Sequence, residues 1–321
     1  MLSRVADHLY WMGRYLERAE HSARLLEVNL HGNLDQSERS EERRWRRLAR
    51  SLGMELQPEM WPSFDALGQA LTLDAAIPES ILSRVKAARD NARQGWEQIS
   101  SEMWEQINRM FLYLDRSSAT DVWLEEPQTV FNAVKQGAYL FQGITDATMS
   151  HGEGWQFIQV GRATERAVAT ARLLDVHFCQ DGAAPKEESL SFLEWAAVLK
   201  SCTAFEAYVK TYSAQLEPSN IAAFLLLNPE FPRSIRFSTS SMKSGLHAIG
   251  RMAGGRMAGR PERLAGRLQA DLDYGQIDEI MSGGLDSYLE SIRHQCEQIH
   301  RAVHETFIRY PVATALAAQH S

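Results

Sequence analysis

The 321-residue sequence predicts an all-α fold, and three observations carry that expectation. Ala, Leu, Glu, Gln and Arg, the residues that lose least on entering a helix, dominate the composition. Most prolines stand where helices would start or stop: Pro58, Pro62, Pro78, Pro127, Pro218, Pro229, Pro232 and Pro261. No stretch offers successive alternating β-branched segments joined by hairpin turns.

Taken in order, the first helix is expected to run from Ser3, a suitable N-cap, to about His31-Gly32. Its apolar stripe is Val5, Leu9, Met12, Leu16, Ala19, Ala23 and Leu26, with steps of four and three that suit shallow helix packing. A later segment repeats it. Gly13-Arg14-Tyr15-Leu16-Glu17-Arg18-Ala19 corresponds to Gly161-Arg162-Ala163-Thr164-Glu165-Arg166-Ala167, and Ala23 to Val28 corresponds to Ala171 to Val176. Ten of the sixteen positions from 13 to 28 are identical, including Gly and Arg positions that Ala/Leu bias would not match. We read an internal duplication. Pro78-Glu79-Ser80-Ile81 and Pro232-Arg233-Ser234-Ile235 each lead into a helix, while Phe131 to Ile144 and Leu285 to Val303 each close a half as an amphipathic helix. The halves, about 1–150 and 151–312, meet near Ser150-His151-Gly152-Glu153-Gly154. With no Pro- or Ser-rich linker between them, they are expected to interlock as one domain over 1–321. Ala19/Ala23 and Ala167/Ala171 would let the two repeated helices approach across a pseudo-twofold axis.

Charge narrows the function. Lys plus Arg number 34 against 41 Asp plus Glu, a net −7, which argues against general nucleic-acid binding. Cys179, Cys202 and Cys296 are too few and scattered for a disulfide framework or a thiolate zinc site. Arg4, Asp7, Arg14 and Glu17 interrupt the N-terminal apolar stretch, and no run of about 18 apolar residues occurs. A soluble, cytoplasmic protein with no membrane association is expected.

The repeated stripe carries its own polar motif. Arg14, Glu17 and Arg18 stand at i, i+3 and i+4, with Arg24 one heptad beyond Glu17; Arg162, Glu165, Arg166 and Arg172 follow the same spacing. Each Glu is flanked by more positive charge than it can neutralise. The excess arginine needs an acidic partner, either another helix (Glu102, Glu105, Glu194 or Glu206) or a ligand. One reading is a buried ion-pair network that sets helix register. The other is an anion-binding surface, since each guanidinium presents a bidentate fork. A carboxylate between arginines has its pKa lowered, which suits neither general acid nor general base near pH 7.

Two Gly-Arg-x-x-Glu-Arg-Ala helices, together with Asn91-Ala92-Arg93, Ile99-Ser100-Ser101-Glu102-Met103-Trp104-Glu105 and Pro232-Arg233-Ser234, resemble the alpha-E family. That is an all-helical domain named for its Glu-Arg motif. The resemblance spans residues 1 to about 312. It implies a companion to a circularly permuted ATP-grasp ligase, encoded beside it or fused to it, often with a transglutaminase-like peptidase and a proteasome-like β-subunit homologue. It thus implies a setting of ATP-dependent amide-bond chemistry, and supplies no reaction or cofactor for this chain. Ala163-Thr164 replaces Tyr15-Leu16 in the second copy, so the two sites need not be equivalent.

Other constellations are weaker. Glu297-x-x-His300 with His294 and His304 offers metal-capable groups, but the chain holds one Glu-x-x-His where di-metal bundles need two; no metal is expected. The Gly-rich stretch 253–261 is basic, with Arg251, Arg256, Arg260, Arg263 and Arg267 in or beside it. It lacks a phosphate-loop ending and reads as a connector or as a docking surface for an acidic partner. Cys202 falls in an expected amphipathic helix through Tyr208, where a buried thiol is ordinary. The eight tryptophans read mainly as core. Two functions remain: a non-catalytic partner that presents substrate to the ligase or completes it, and a binding protein or enzyme holding an anionic amino acid or peptide.

Overall fold

Helix α1 (Ser3–His31) has Ser3 as its first described helical residue and carries the expected stripe inward, with Leu9, Met12, Ala19, Ala23 and Leu26 fully buried. Its polar residues are buried as well. Arg14, Glu17, Glu20, His21, Ser22 and Arg24 all lie inside, so α1 is a central helix rather than a surface one. The computed structural model describes residues 3–31, 38–54, 63–118, 123, 126–178, 192–252 and 259–308.

The first half continues with α2 (Glu38–Leu52), α3 (Phe64–Leu73), α4 (Ile81–Gln94), α5 (Ser101–Ser118) and α6 (Pro127–Thr148). The second begins with α7 (Glu153–Phe178), followed by α8 (Phe192–Ser201), α9 (Phe205–Tyr212), α10 (Pro218–Leu227), α11 (Ile235–Met252), α12 (Gly259–Tyr274), α13 (Ile277–Gly283) and α14 (Leu285–Val303). A π-helical turn over His304–Ile308 extends α14. No strand occurs among the described residues.

Local chemistry sets the helix starts. Pro127 and Pro218 open α6 and α10, where a missing N–H costs nothing. Ser80 caps α4 by accepting from Ser83 N at 3.1 Å, and Ser234 caps α11 by accepting from Phe237 N at 3.0 Å. Both Pro-x-Ser-Ile segments therefore start a helix with the same serine device. One expectation fails nearby. The expected helix through Tyr208 is broken at residues 202–204, between α8 and α9, with Thr203 at φ 52°, because the chain turns there to pack Tyr208 into the core. Gly259-Arg260-Pro261 likewise opens α12 instead of serving as a connector, Pro261 being acceptable in a first helical turn. Residues 253–258, Arg256 among them, lie outside the described residues.

The central pair is α1 and α7, packed along each other. Helix α4 and α6 cover α1, while α11 and α14 cover α7; α5 packs on both α4 and α6, and α12 on both α11 and α14. Buried apolar side chains from both halves join in one continuous core. Glycines give α1 and α7 a close approach, and Ala19, Ala23, Ala167 and Ala171 are all fully buried. A Cβ on Gly13 would meet Ile158 O at 2.6 Å, and one on Gly161 would clash with Tyr10 O. Tyr10, Arg14 and Glu17 lie against Gly161, Glu165 and Arg166 in that order, so the two helices run in the same direction here. Of the tryptophans, Trp123 and Trp195 are core, whereas Trp96 is largely exposed.

Candidate functional site

Parallel packing of α1 on α7 sets the ion pairs, and they cross between helices. Arg14 Nε donates to Glu165 Oε2 at 2.8 Å and Arg18 Nε to Glu165 Oε1 at 2.6 Å. Reciprocally, Arg166 Nε donates to Glu17 Oε1 at 2.8 Å, joined by Arg233 Nη1 at 2.8 Å. Each motif glutamate is thus neutralised by the opposite helix, not by its own arginines as the i, i+3, i+4 spacing suggests. The reason is direction: neighbours on one helix run side by side, whereas the facing helix offers guanidinium groups pointing at the carboxylate.

The acidic partners differ from those expected. Glu102, Glu105 and Glu206 are exposed, and Glu194 pairs with Arg47 at 2.7 Å. Glu20 fills the role instead. It is fully buried, accepts from Arg24 Nε at 2.6 Å and receives Arg233 Nη2. Arg24 also donates to Tyr139. α7 has Val168, four residues before Arg172, where α1 has Glu20 four residues before Arg24, so Arg172 has no equivalent carboxylate and rests half-buried against Gly53. Glu20 and Arg233 were the functional-site residues that sequence reasoning missed. Glu20, four residues before Arg24 within the apolar stripe, was the available signal.

These pairs hold the carboxylates ionised. Burial raises the Glu17 pKa, but Arg166 and Arg233 outweigh it and bring it to about 2. Glu165 likewise stands at about 2, with Arg14 and Arg18 outweighing burial. Desolvation works against Arg233 and Arg14, yet their anionic neighbours hold both above the ordinary arginine value. His21, buried beside Arg233, is pushed down to about 4 and is neutral at pH 7. Burial raises the Cys202 thiol to about 11 and Cys296 to about 12, so neither is a ready nucleophile.

Besides Arg172, Arg84 and Arg162 have no carboxylate within ion-pair distance among the described residues. Arg84 is buried at 7% exposure and donates to Ser22 Oγ, with burial and Arg18 pushing its pKa down to about 10. Arg162 makes no hydrogen bond or ion pair among the described residues; burial and Arg166 push it to about 10 as well. It lines a cavity of about 410 Å3 between α7 and α11, with Arg166, Gln159, Ser238, Ser241 and Ser244. Its charge faces Glu17, Asp146, Arg166 and Arg233.

The other expected sites are dispersed. Among the described residues no three His, Cys, Asp or Glu side chains converge as metal ligands. His300 stacks on Tyr10 and shares a 3.0 Å hydrogen bond with its hydroxyl, while Glu297 accepts from Arg301 at 2.9 Å. Arg251, Arg263 and Arg267 are exposed, and Arg260 pairs with Glu305.

The sequence matches the Alpha-E family, described as a predicted alpha-helical domain with a conserved ER motif, over residues 1–308. This chain belongs to the Alpha-E family. Glu17-Arg18 and Glu165-Arg166, the Glu-Arg pairs at the heart of this Alpha-E domain, are the ones that cross-link its two central helices. Uncharacterized proteins from Mycobacterium bovis and from two strains of Mycobacterium tuberculosis are 22% identical over 312 residues, covering 90% of this chain. The chain spans 34% of the length of those relatives. No solved structure matches it. No helix among the described residues is long and apolar enough to cross a membrane.

Proposed function

We propose that this Alpha-E domain is a non-catalytic binding partner of a circularly permuted ATP-grasp ligase, presenting substrate to it or completing it. One observation supports this above others. Every buried carboxylate of the Glu-Arg core is committed to arginine, and the buried thiols are held protonated. A general acid or base needs a pKa near the working pH, and Glu17 and Glu165, held at about 2, are far from it. The core then acts as a rigid scaffold. The relatives are three times longer than the match, which leaves room for a fused catalytic domain.

The scaffold reading includes an internal duplication about a pseudo-twofold axis along α1 and α7. It is supported by the reciprocal close approaches of Gly13 to Ile158 and Gly161 to Tyr10, and by the Ser80 and Ser234 caps. Arg260, Arg263 and Arg267, exposed on α12, then offer a docking face for an acidic partner.

The test is reconstitution. ATP turnover by the ligase across candidate amine acceptors should rise when this chain is added. A triple Arg260→Gln, Arg263→Gln, Arg267→Gln variant should bind the ligase more weakly at low salt, where exposed charges act over about 10 Å or more. Unchanged turnover and unchanged binding would remove the partnership. The transglutaminase-like peptidase and the proteasome-like β-subunit homologue belong in the same pull-down as further candidates.

A further inference from the structure

We propose that the cavity between α7 and α11 is a binding site for a phosphate monoester, with Arg162 as its principal cation. The inference does not depend on the ligase partnership. It starts from a charge imbalance. In this part of the core two buried carboxylates, Glu17 and Glu20, face four guanidinium groups, Arg24, Arg166, Arg233 and Arg162. Arg24, Arg166 and Arg233 each contact a carboxylate, and Arg162 contacts none. Asp146 is the remaining nearby anion, but it is exposed, accepts from the Trp155 indole at 3.2 Å and is screened by water. Arg162 and Arg166 both line the cavity, and two guanidinium groups on one pocket suit the several oxygens and double charge of a phosphate monoester.

Hydrogen-bond donors converge on the same space. Ser238 lines the cavity but is 1% exposed, with its Oγ shut off from the open space, so the hydroxyls offered to a ligand are those of Ser241 and Ser244. Ser241 stands one turn further along α11, and Ser244 lies exposed at the rim. The helix is shaped for this. Gly245 brings α11 so close to α7 that a Cβ there would lie 2.6 Å from Val160 Cγ2. A volume of about 410 Å3 exceeds what a bare phosphate needs, and Phe237 with Pro232 supplies an apolar wall for an organic portion.

Calorimetric titration of the full chain, with no ligase present, tests the site. The probes are O-phosphoserine, inorganic phosphate and glutamate. O-phosphoserine should bind, inorganic phosphate more weakly and glutamate weakest. Arg162→Gln should weaken O-phosphoserine binding about tenfold or more. Ser244→Glu, placed at the exposed rim where it cannot disturb the core, should weaken it too by setting a like charge in the mouth. If Arg162→Gln fails to fold by circular dichroism, Ser244→Glu decides alone. No binding of either phosphate probe up to about 10 mM, or wild-type affinity in the folded variants, overturns the site. Glutamate binding more tightly than O-phosphoserine overturns the dianion assignment. Inorganic phosphate binding as tightly as O-phosphoserine overturns the monoester.

Discussion

Arg166 Nε donates a 2.8 Å hydrogen bond to Glu17 Oε1, joining the motif arginine of one central helix to the motif glutamate of the other. The carboxylate is 1% exposed and the guanidinium side chain 11%, so the pair is desolvated at both ends. With Arg14 and Arg18 on Glu165 it forms two cross-helix clamps that fix the register of α1 against α7. Such pairs add little net stability compared with apolar packing, but breaking one strands its partner.

Glu17→Ala and Glu165→Ala are therefore each expected to destabilise the fold by about 3–5 kcal/mol, the penalty for leaving buried guanidinium groups without a counter-charge. Denaturant melts check this. A loss below about 1 kcal/mol at both positions would mean that water reaches these groups freely.

Arg84→Met should behave in the opposite way. Arg84 is buried without a carboxylate within ion-pair distance among the described residues, and its pKa is pushed down by burial and by Arg18. Replacing an uncompensated buried cation with an apolar side chain of similar length is expected to change stability by less than about 1 kcal/mol, or to raise it. Thermal melts beside Glu165→Ala make the contrast direct.

Gly161→Ala and Gly13→Ala should both push α1 from α7. The obstructing atoms are main-chain carbonyls, Tyr10 O and Ile158 O, which have no rotamer by which to yield. A cost of about 1–3 kcal/mol or more is expected, larger at Gly161 where the clash is closer. Gly143→Ala, with nothing within 4 Å of the added methyl, is the control and should be neutral or slightly stabilising.

Acid should unfold the protein in two overlapping stages. Burial, with Arg233 beside His21 and Arg14 near His300, holds His21, His177 and His300 down at about 4, against an ordinary value of 6.5. Between those values the unfolded chain binds more protons, so stability falls as pH drops from about 6.5 to 4. Glu17 and Glu165, held at about 2 by their arginines against the opposing effect of burial, start from 4.5. Their contribution is present above 4.5 and is lost as pH falls towards 2, roughly 3 kcal/mol for each fully buried group. Helicity followed by circular dichroism from pH 7 to 2 should show the histidine stage first. His21→Gln should shrink that stage, leaving the His177 and His300 share and the carboxylate stage in place.

The sequence by itself determined the helical class, the extent of α1, the Pro-x-Ser starts of α4 and α11, and the pairing of Gly13 through Val28 with Gly161 through Val176. These are properties of neighbours along one chain: propensity, capping and period act within a few residues, and repeated residues can be matched without coordinates. Tertiary structure decided which charges meet. Glu17 spaced between Arg14 and Arg18 reads as a pair within one helix, but the facing helix presents Arg166 to that carboxylate, and Arg233 arrives from before α11. The serines of α11 read as an ordinary polar run until Gly245 brings that helix against Val160 and places Ser241 and Ser244 with Arg162 around one cavity. Desolvation decided the rest, because a guanidinium such as Arg84 or Arg162 becomes an unbalanced charge only when packing removes the water that would have screened it.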